Sequence, residues 1–166
     1  MKQWIDKQIH AKYTPYVLAF LIPFLVMAAV CAGHGIYPFG ENSFLHIDMY
    51  HQYAPFFMEF QRKLKAHESL MFSWNLGLGS DFVATFAYYL ASPVNWLVVF
   101  CSKQHLIEFM TVLVLLKIAC SGLFFAIYLG RHFKDNSYLV TLVSMFYALS
   151  AYISAYSWNI MWLDCI

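Results

Sequence analysis

Apolar and polar positions alternate along this chain on the scale of whole helices. Tyr16 to Ala32 is an uncharged run of seventeen residues, extended by Tyr13 and Gly33. At 1.5 Å per residue it predicts a membrane-spanning helix over about 13–33. Further apolar runs cover 82–100, 106–130 and 138–158. Between the first and second runs the period changes. Beyond an isolated acid, Asp48, the apolar residues Met49, Tyr53, Phe56, Phe57, Phe60 and Leu64 recur at steps of three and four. That is the stripe of an amphipathic helix, which predicts a helix lying along the membrane surface. Pro55 lacks a donor and crowds the preceding turn, so the helix either kinks there or a second one begins.

The run 82–100 carries Pro93 and Asn95 at its middle. It either spans or lies at the outer interface, broken at Ser92-Pro93. Charge separates the two. Lys2, Lys7 and Lys12, against Asp6 alone, place the N-terminus in the cytoplasm. If 82–100 crosses, the cluster Arg131, His132, Lys134 faces outward; if it is interfacial, that cluster faces the cytoplasm, as short basic loops do. The prediction is an all-α integral membrane protein. It has three transmembrane helices, at about 13–33, 106–130 and 138–158, and a long external loop over 34–104 made of amphipathic, interfacial helices. Asp48 and Asp164 then lie on the same external side. A cleaved signal peptide competes for the first run, whose flank is basic and whose tail reads V-C-A, but the run is long for that and an uncleaved helix is preferred.

Composition agrees. The 166 residues are 61% hydrophobic, 20% aromatic and 11% charged, against about 25% charged in soluble domains. A net charge of +1 argues against a nucleic-acid partner. Cys31, Cys101, Cys120 and Cys165 show no C-x-x-C spacing, so they read as small hydrophobes rather than a zinc site or disulfide framework. The sequence stops within Trp162-Leu163-Asp164-Cys165-Ile166 with no polar tail, which reads as an N-terminal fragment of a longer protein, inactive alone.

Candidate chemistry is sparse. Asp48, between His46 and His51, puts a carboxylate just outside the bilayer beside a platform for lipid, a place for chemistry on a lipid-linked substrate. The plain alternative is a helix N-cap, which Asp favours. Arg62, Lys63 and Lys65, with His67, could hold a lipid phosphate or sit among head groups. Gly77 and Gly79 allow tight turns but form no nucleotide loop. Lys117 lies mid-helix in an apolar run, where an ionisable group is costly and marks function unless it snorkels or finds a partner. Glu108, nine positions away, is on the wrong side of the helix to be that partner. Small residues four apart, Ser144/Ala148, Ser150/Ser154 and Ala151/Ala155, allow close helix packing.

Four stretches in order, YPFGENSFLHIDMYHQY, SWNLGLGSDF, AYYLASPVNWL and SWNIMWLDCI, resemble the N-terminal region of the bacterial YfhO family, from about Tyr37 to the end. The resemblance implies the beginning of a GT-C glycosyltransferase fold. It implies transfer of a sugar from a polyprenyl-phosphate donor, across the lipid bilayer's outer face, to a cell-envelope polymer such as teichoic or lipoteichoic acid. Such enzymes place a carboxylate in the first external loop, where Asp48 stands, and often a second acid in the next, where Asp164 fits by position. A divalent cation, Mg or Mn, would use Asp48 and Asp164; here the first motif holds a lone acid rather than a pair. Arg62, Lys63 and Lys65 are candidates for the donor phosphate. The rival functions are a non-enzymatic lipid-binding or translocating protein, and an assembly subunit that only packs against partners.

Overall fold

The computed structural model describes residues 2–165, with side chains from Tyr13 onward. The chain forms two compact units. One joins the residues up to Gly33 with Leu115–Ala155; the other joins His34–Val114 with the stretch from Tyr156 on.

In the first unit, α1 (Lys2–Gly33) contains the predicted span, Tyr13–Gly33. It packs on α5 (Tyr138–Ala148) and on the part of α4 (Leu106–Phe133) beyond Val114. Ala19, Ala126 and Val140 form the buried contact, flanked by Tyr16 and Leu129. Pro23 removes the donor that would have bonded the carbonyl of Ala19. That freed oxygen faces Gly122 of α4 so closely that a Cβ there would stand 2.5 Å from it. The missing side chain lets the two backbones meet where the proline has opened one of them. Thr141 Oγ1 donates to the carbonyl of Pro15 at 2.9 Å, and Tyr16 donates to Asn136. Of the small pairs, Ser144 and Ala148 are fully buried, whereas Ala151, Ser154 and Ala155 are exposed. Lys117 is buried in this unit.

Among the described residues, two helices have the length and hydropathy of membrane spans, Tyr13–Gly33 and Lys103–Phe133, and a bent pair makes a third if it counts as one. The bent pair is the ambiguous run. Phe82–Leu90 and Pro93–Phe100 turn through 108° at the Ser92–Pro93 break. The expected third span, 138–158, differs from the sequence reading. It folds as α5, eleven residues, and α6 (Ala151–Tyr156), six. Eleven residues rise only about 16 Å, so α5 alone falls well short of the bilayer. The interruption is at Leu149–Ser150, where Ser150 Oγ accepts from the Ile153 amide and starts a new helix. Nothing in the apolar pattern marks this break, because both residues suit a buried helix.

The second unit contains the stretch whose pattern suggests interfacial helices. Asp48 leads into a wide helical turn, Met49–Tyr53, which passes directly into α2 (Ala54–Lys65). Pro55 sits in the first turn of α2, where its missing donor costs nothing. So a second helix begins there. The stripe buries Met49, Tyr53, Phe57 and Phe60. Against it pack Phe86 and Trp96, whose rings lie 5.3 Å from that of Phe60. A short hairpin, β1 (Phe72–Ser73) with β2 (Ser80–Asp81), interrupts the helical order. Gly77 and Gly79 take positive φ in its loop. Asp81 then caps α3 (Phe82–Thr85) by accepting from the amides of Val83 and Ala84.

Candidate functional site

Asp48 follows Ile47, whose φ is +51°, and is itself already helical at φ −65°, ψ −25°. Its side chain makes no capping hydrogen bond. The capping alternative raised by the sequence therefore does not describe it, in contrast to Asp81 and Ser137, which do cap. The carboxylate is half-buried. The flanking histidines turn to other partners: His46 Nδ1 donates to the carbonyl of Phe44 at 2.8 Å, and His51 meets the Tyr50 ring edge-on.

One helical turn on lies Tyr53, fully buried. Its hydroxyl donates to Asn159 Oδ1 and accepts from the Met161 amide at 3.3 Å. Burial pushes this phenol well above its ordinary pKa. The Met161 amide works against that, and Tyr89, the charge of Asp48 and Tyr88 add to it. Tyr53 thus stays a neutral donor and ties the Asp48 segment to the C-terminal stretch of the same unit. That stretch ends in a tight turn, Trp162–Asp164, where Asp164 Oδ1 accepts from Ser92 Oγ at 2.7 Å. Both predicted acids therefore belong to one compact unit. Among the described residues no group of three or more His, Cys, Asp or Glu is placed to hold a metal.

The basic candidates serve a different purpose. Arg62 donates from Nε and Nη2 to Glu59, at 2.8 and 2.9 Å, and also to Glu68. Lys63 is buried and donates to the carbonyls of Ser69 and Phe72, at 2.9 and 2.8 Å. Lys65 donates to the carbonyl of Cys101. Lys63 and Lys65 thus brace α2 against other segments, while Arg62 pairs with carboxylates on α2 and just past its end. Arg62 alone of them also lines an open cleft, of about 270 Å³, together with Lys103, Asn75 and Met58.

The residue that sequence reasoning missed is Glu59. It is buried and accepts from Arg62, from Ser73 Oγ at 2.7 Å and from Asn75 Nδ2 at 2.9 Å. The Arg62 guanidinium, helped by Ser73 and Asn75 and opposed by burial, holds its carboxyl down at about 2. Its spacing to Arg62 and Lys63, three and four positions, was the available signal. Glu108 pairs with His105 at 2.6 Å.

Comparison with known proteins agrees with the helical membrane architecture. A family model described as "Bacterial membrane protein YfhO" matches residues 19–166. No curated protein and no solved structure matches the chain. The match covers all of both carboxylate segments and most of the first span, and on it the chain belongs to the YfhO family of bacterial membrane proteins.

Proposed function

We propose that this chain supplies the acceptor-activating carboxylate of a membrane glycosyltransferase. The enzyme moves a sugar from a polyprenyl-phosphate donor to a cell-envelope polymer of the teichoic or lipoteichoic acid kind. The observation that carries the reading is the state of Asp48: a half-buried carboxylate at the head of a helix, yet not used as its cap. A half-buried carboxylate at a helix start that is not used as the cap is open to meeting a substrate.

In the step, Asp48 accepts the proton of an acceptor hydroxyl. That oxygen forms a bond to the anomeric carbon as the bond from this carbon to the phosphate oxygen breaks. The electron pair leaves with the polyprenyl phosphate, on the opposite face, and the anomeric centre inverts. The base must come within about 2.6–3.2 Å of the hydroxyl. Arg62, which lines a cleft with Lys103, is the best placed of the three basic candidates for the donor phosphate; Lys63 and Lys65 hold α2 in place. With the N-terminus in the cytoplasm, as the basic flank of the first span requires, this chemistry lies on the outer face.

The test is Asp48→Asn in the protein expressed in its own bacterium. Polymer glycosylation should fall by about 10²-fold or more with membrane abundance unchanged. Unaltered glycosylation at equal abundance would refute the reading and favour a lipid-binding or packing protein.

A further inference from the structure

The break at Ser92–Pro93 opens a cleft of about 330 Å³ against the Asp164 turn. Tyr88, Tyr89, Ser92, Pro93, Met161 and Asp164 form its wall. The Tyr88 ring is 63% exposed. Tyr89 meets it edge to face, with centroids 4.7 Å apart, and is itself packed on Tyr53 and Phe56. An outward ring is thus backed by a cluster of aromatic rings. Opposite, the hydrogen bond from Ser92 fixes the orientation of the Asp164 carboxylate. A carboxylate offers roughly four acceptor positions, and the Ser92 bond is among those in use.

A pyranose has two kinds of surface. Its axial C–H face stacks on an aromatic ring, and its neighbouring hydroxyls donate as a pair to a carboxylate. The cleft presents both partners. Its volume is at the small end of the ~300–1,000 Å³ of ligand pockets, which suits one sugar ring better than a lipid chain. A quaternary ammonium also favours tyrosine with a carboxylate. But that ligand wants several ring faces turned inward, whereas here Tyr89 spends its contacts on Tyr88, Tyr53 and Phe56.

The geometry points to a saccharide-binding subsite in this cleft, with Tyr88 as the stacking platform and Asp164 as the hydroxyl acceptor. It rests on the glycosyltransferase reading and gives it a place to hold a sugar ring, in the same unit as Asp48.

The experiment uses the full chain in nanodiscs of phosphatidylglycerol and phosphatidylethanolamine, prepared without maltoside detergents, whose sugars would compete. The probes are methyl β-D-glucopyranoside and methyl N-acetyl-β-D-glucosaminide, followed by saturation-transfer NMR. Saturation should reach the ring protons of at least one glycoside. Tyr88→Ala and Asp164→Asn should each weaken binding about tenfold, while Tyr88→Phe, which keeps the ring, should change it less than about twofold. Absence of transfer in the unaltered protein, or equal transfer in Tyr88→Ala, overturns the subsite. So does tighter binding of tetramethylammonium, lost in the same variants. Glycoside binding that depends on Tyr88 while Asp48→Asn leaves glycosylation intact overturns the catalytic reading and keeps the subsite. The reverse pair of results keeps Asp48 and removes the subsite.

Discussion

Replacing Glu59 with Gln tests how the hairpin is held to α2. The carboxylate is 5% exposed and receives only donors: Arg62 Nε and Nη2, Ser73 Oγ and Asn75 Nδ2. An amide keeps the shape but turns one acceptor into a donor pointing at other donors. The carboxyl sits at about 2 rather than its usual 4.5, with Arg62 the main cause. A depression of that size corresponds to about 3 kcal/mol of folded-state stability. This agrees with the ~3–5 kcal/mol lost when one member of a buried pair is removed. Because the folded pKa is the lower one, the contribution is complete above pH 4.5 and disappears as pH falls through about 2. The effect should be local, since Ser73 and Asn75 bring the hairpin to Glu59. Hydrogen exchange at the hairpin amides, such as Gly79 bonded to Leu76 and Phe82 bonded to Met71, reads it directly. At pH 7, Glu59→Gln should speed their exchange by about 10²-fold. The gap between variant and parent should narrow as the buffer is taken from pH 4.5 towards 2. Equal protection at pH 7, or a gap that persists undiminished at pH 2, would refute this account.

Two further substitutions probe the rest of the frame. Tyr53→Phe deletes the hydroxyl between Asn159 and the Met161 amide, leaving the buried Asn159 and a part-buried amide without that partner; it should cost about 1–3 kcal/mol in thermal unfolding, and an unchanged midpoint would dismiss the tie. Gly122→Ala puts a methyl 2.5 Å from the Ala19 carbonyl and 3.3 Å from the Ala148 Cβ. The obstacle is backbone, so α1 and α4 must part, at about 1–3 kcal/mol; a variant as stable as its parent would show that the helices do not meet there.

Much of this was legible because the bilayer imposes length and period. The first span and the stripe through Phe57 and Phe60 follow from apolar spacing, while Pro55 allowed either a kink or a second helix and the structure takes the second. The break at Ser92–Pro93 was visible for the same reason. The break at Leu149–Ser150 was not: a serine hydroxyl can bond within a helix or cap the next one, and only tertiary packing decides. Glu59 escaped notice because a glutamate beside Arg62 and Lys63 on a surface helix looks solvated. Its burial depends on a hairpin arriving from residues 72–81, a non-local event that periodicity does not record.

Residue type alone also does not say what the basic side chains bond to within the protein, and the physical cause lies in the broken helices. A helix that breaks and continues as a tight 3-10 segment leaves carbonyls without their usual partners. The Pro93–Phe100 segment does this, and α2 supplies the missing donors. Gln61 Nε2 reaches the carbonyls of Val98 and Cys101 at 2.8 and 3.0 Å, and Lys65 also reaches that of Cys101. Asn95 Nδ2 takes the carbonyl of Leu90 at 3.3 Å. Lys63 does the same for the turn before the hairpin. These groups are committed to holding the broken backbone in shape. Asp48 does not cap the helix it begins, and Asp164, bonded by Ser92, lines an open cleft. The backbone breaks are therefore what give the site its form. They bend the apolar run enough to bring Ser92 onto Asp164 and to set Tyr88 and Tyr89 beside it, and they consume the polar side chains that would otherwise compete for a substrate.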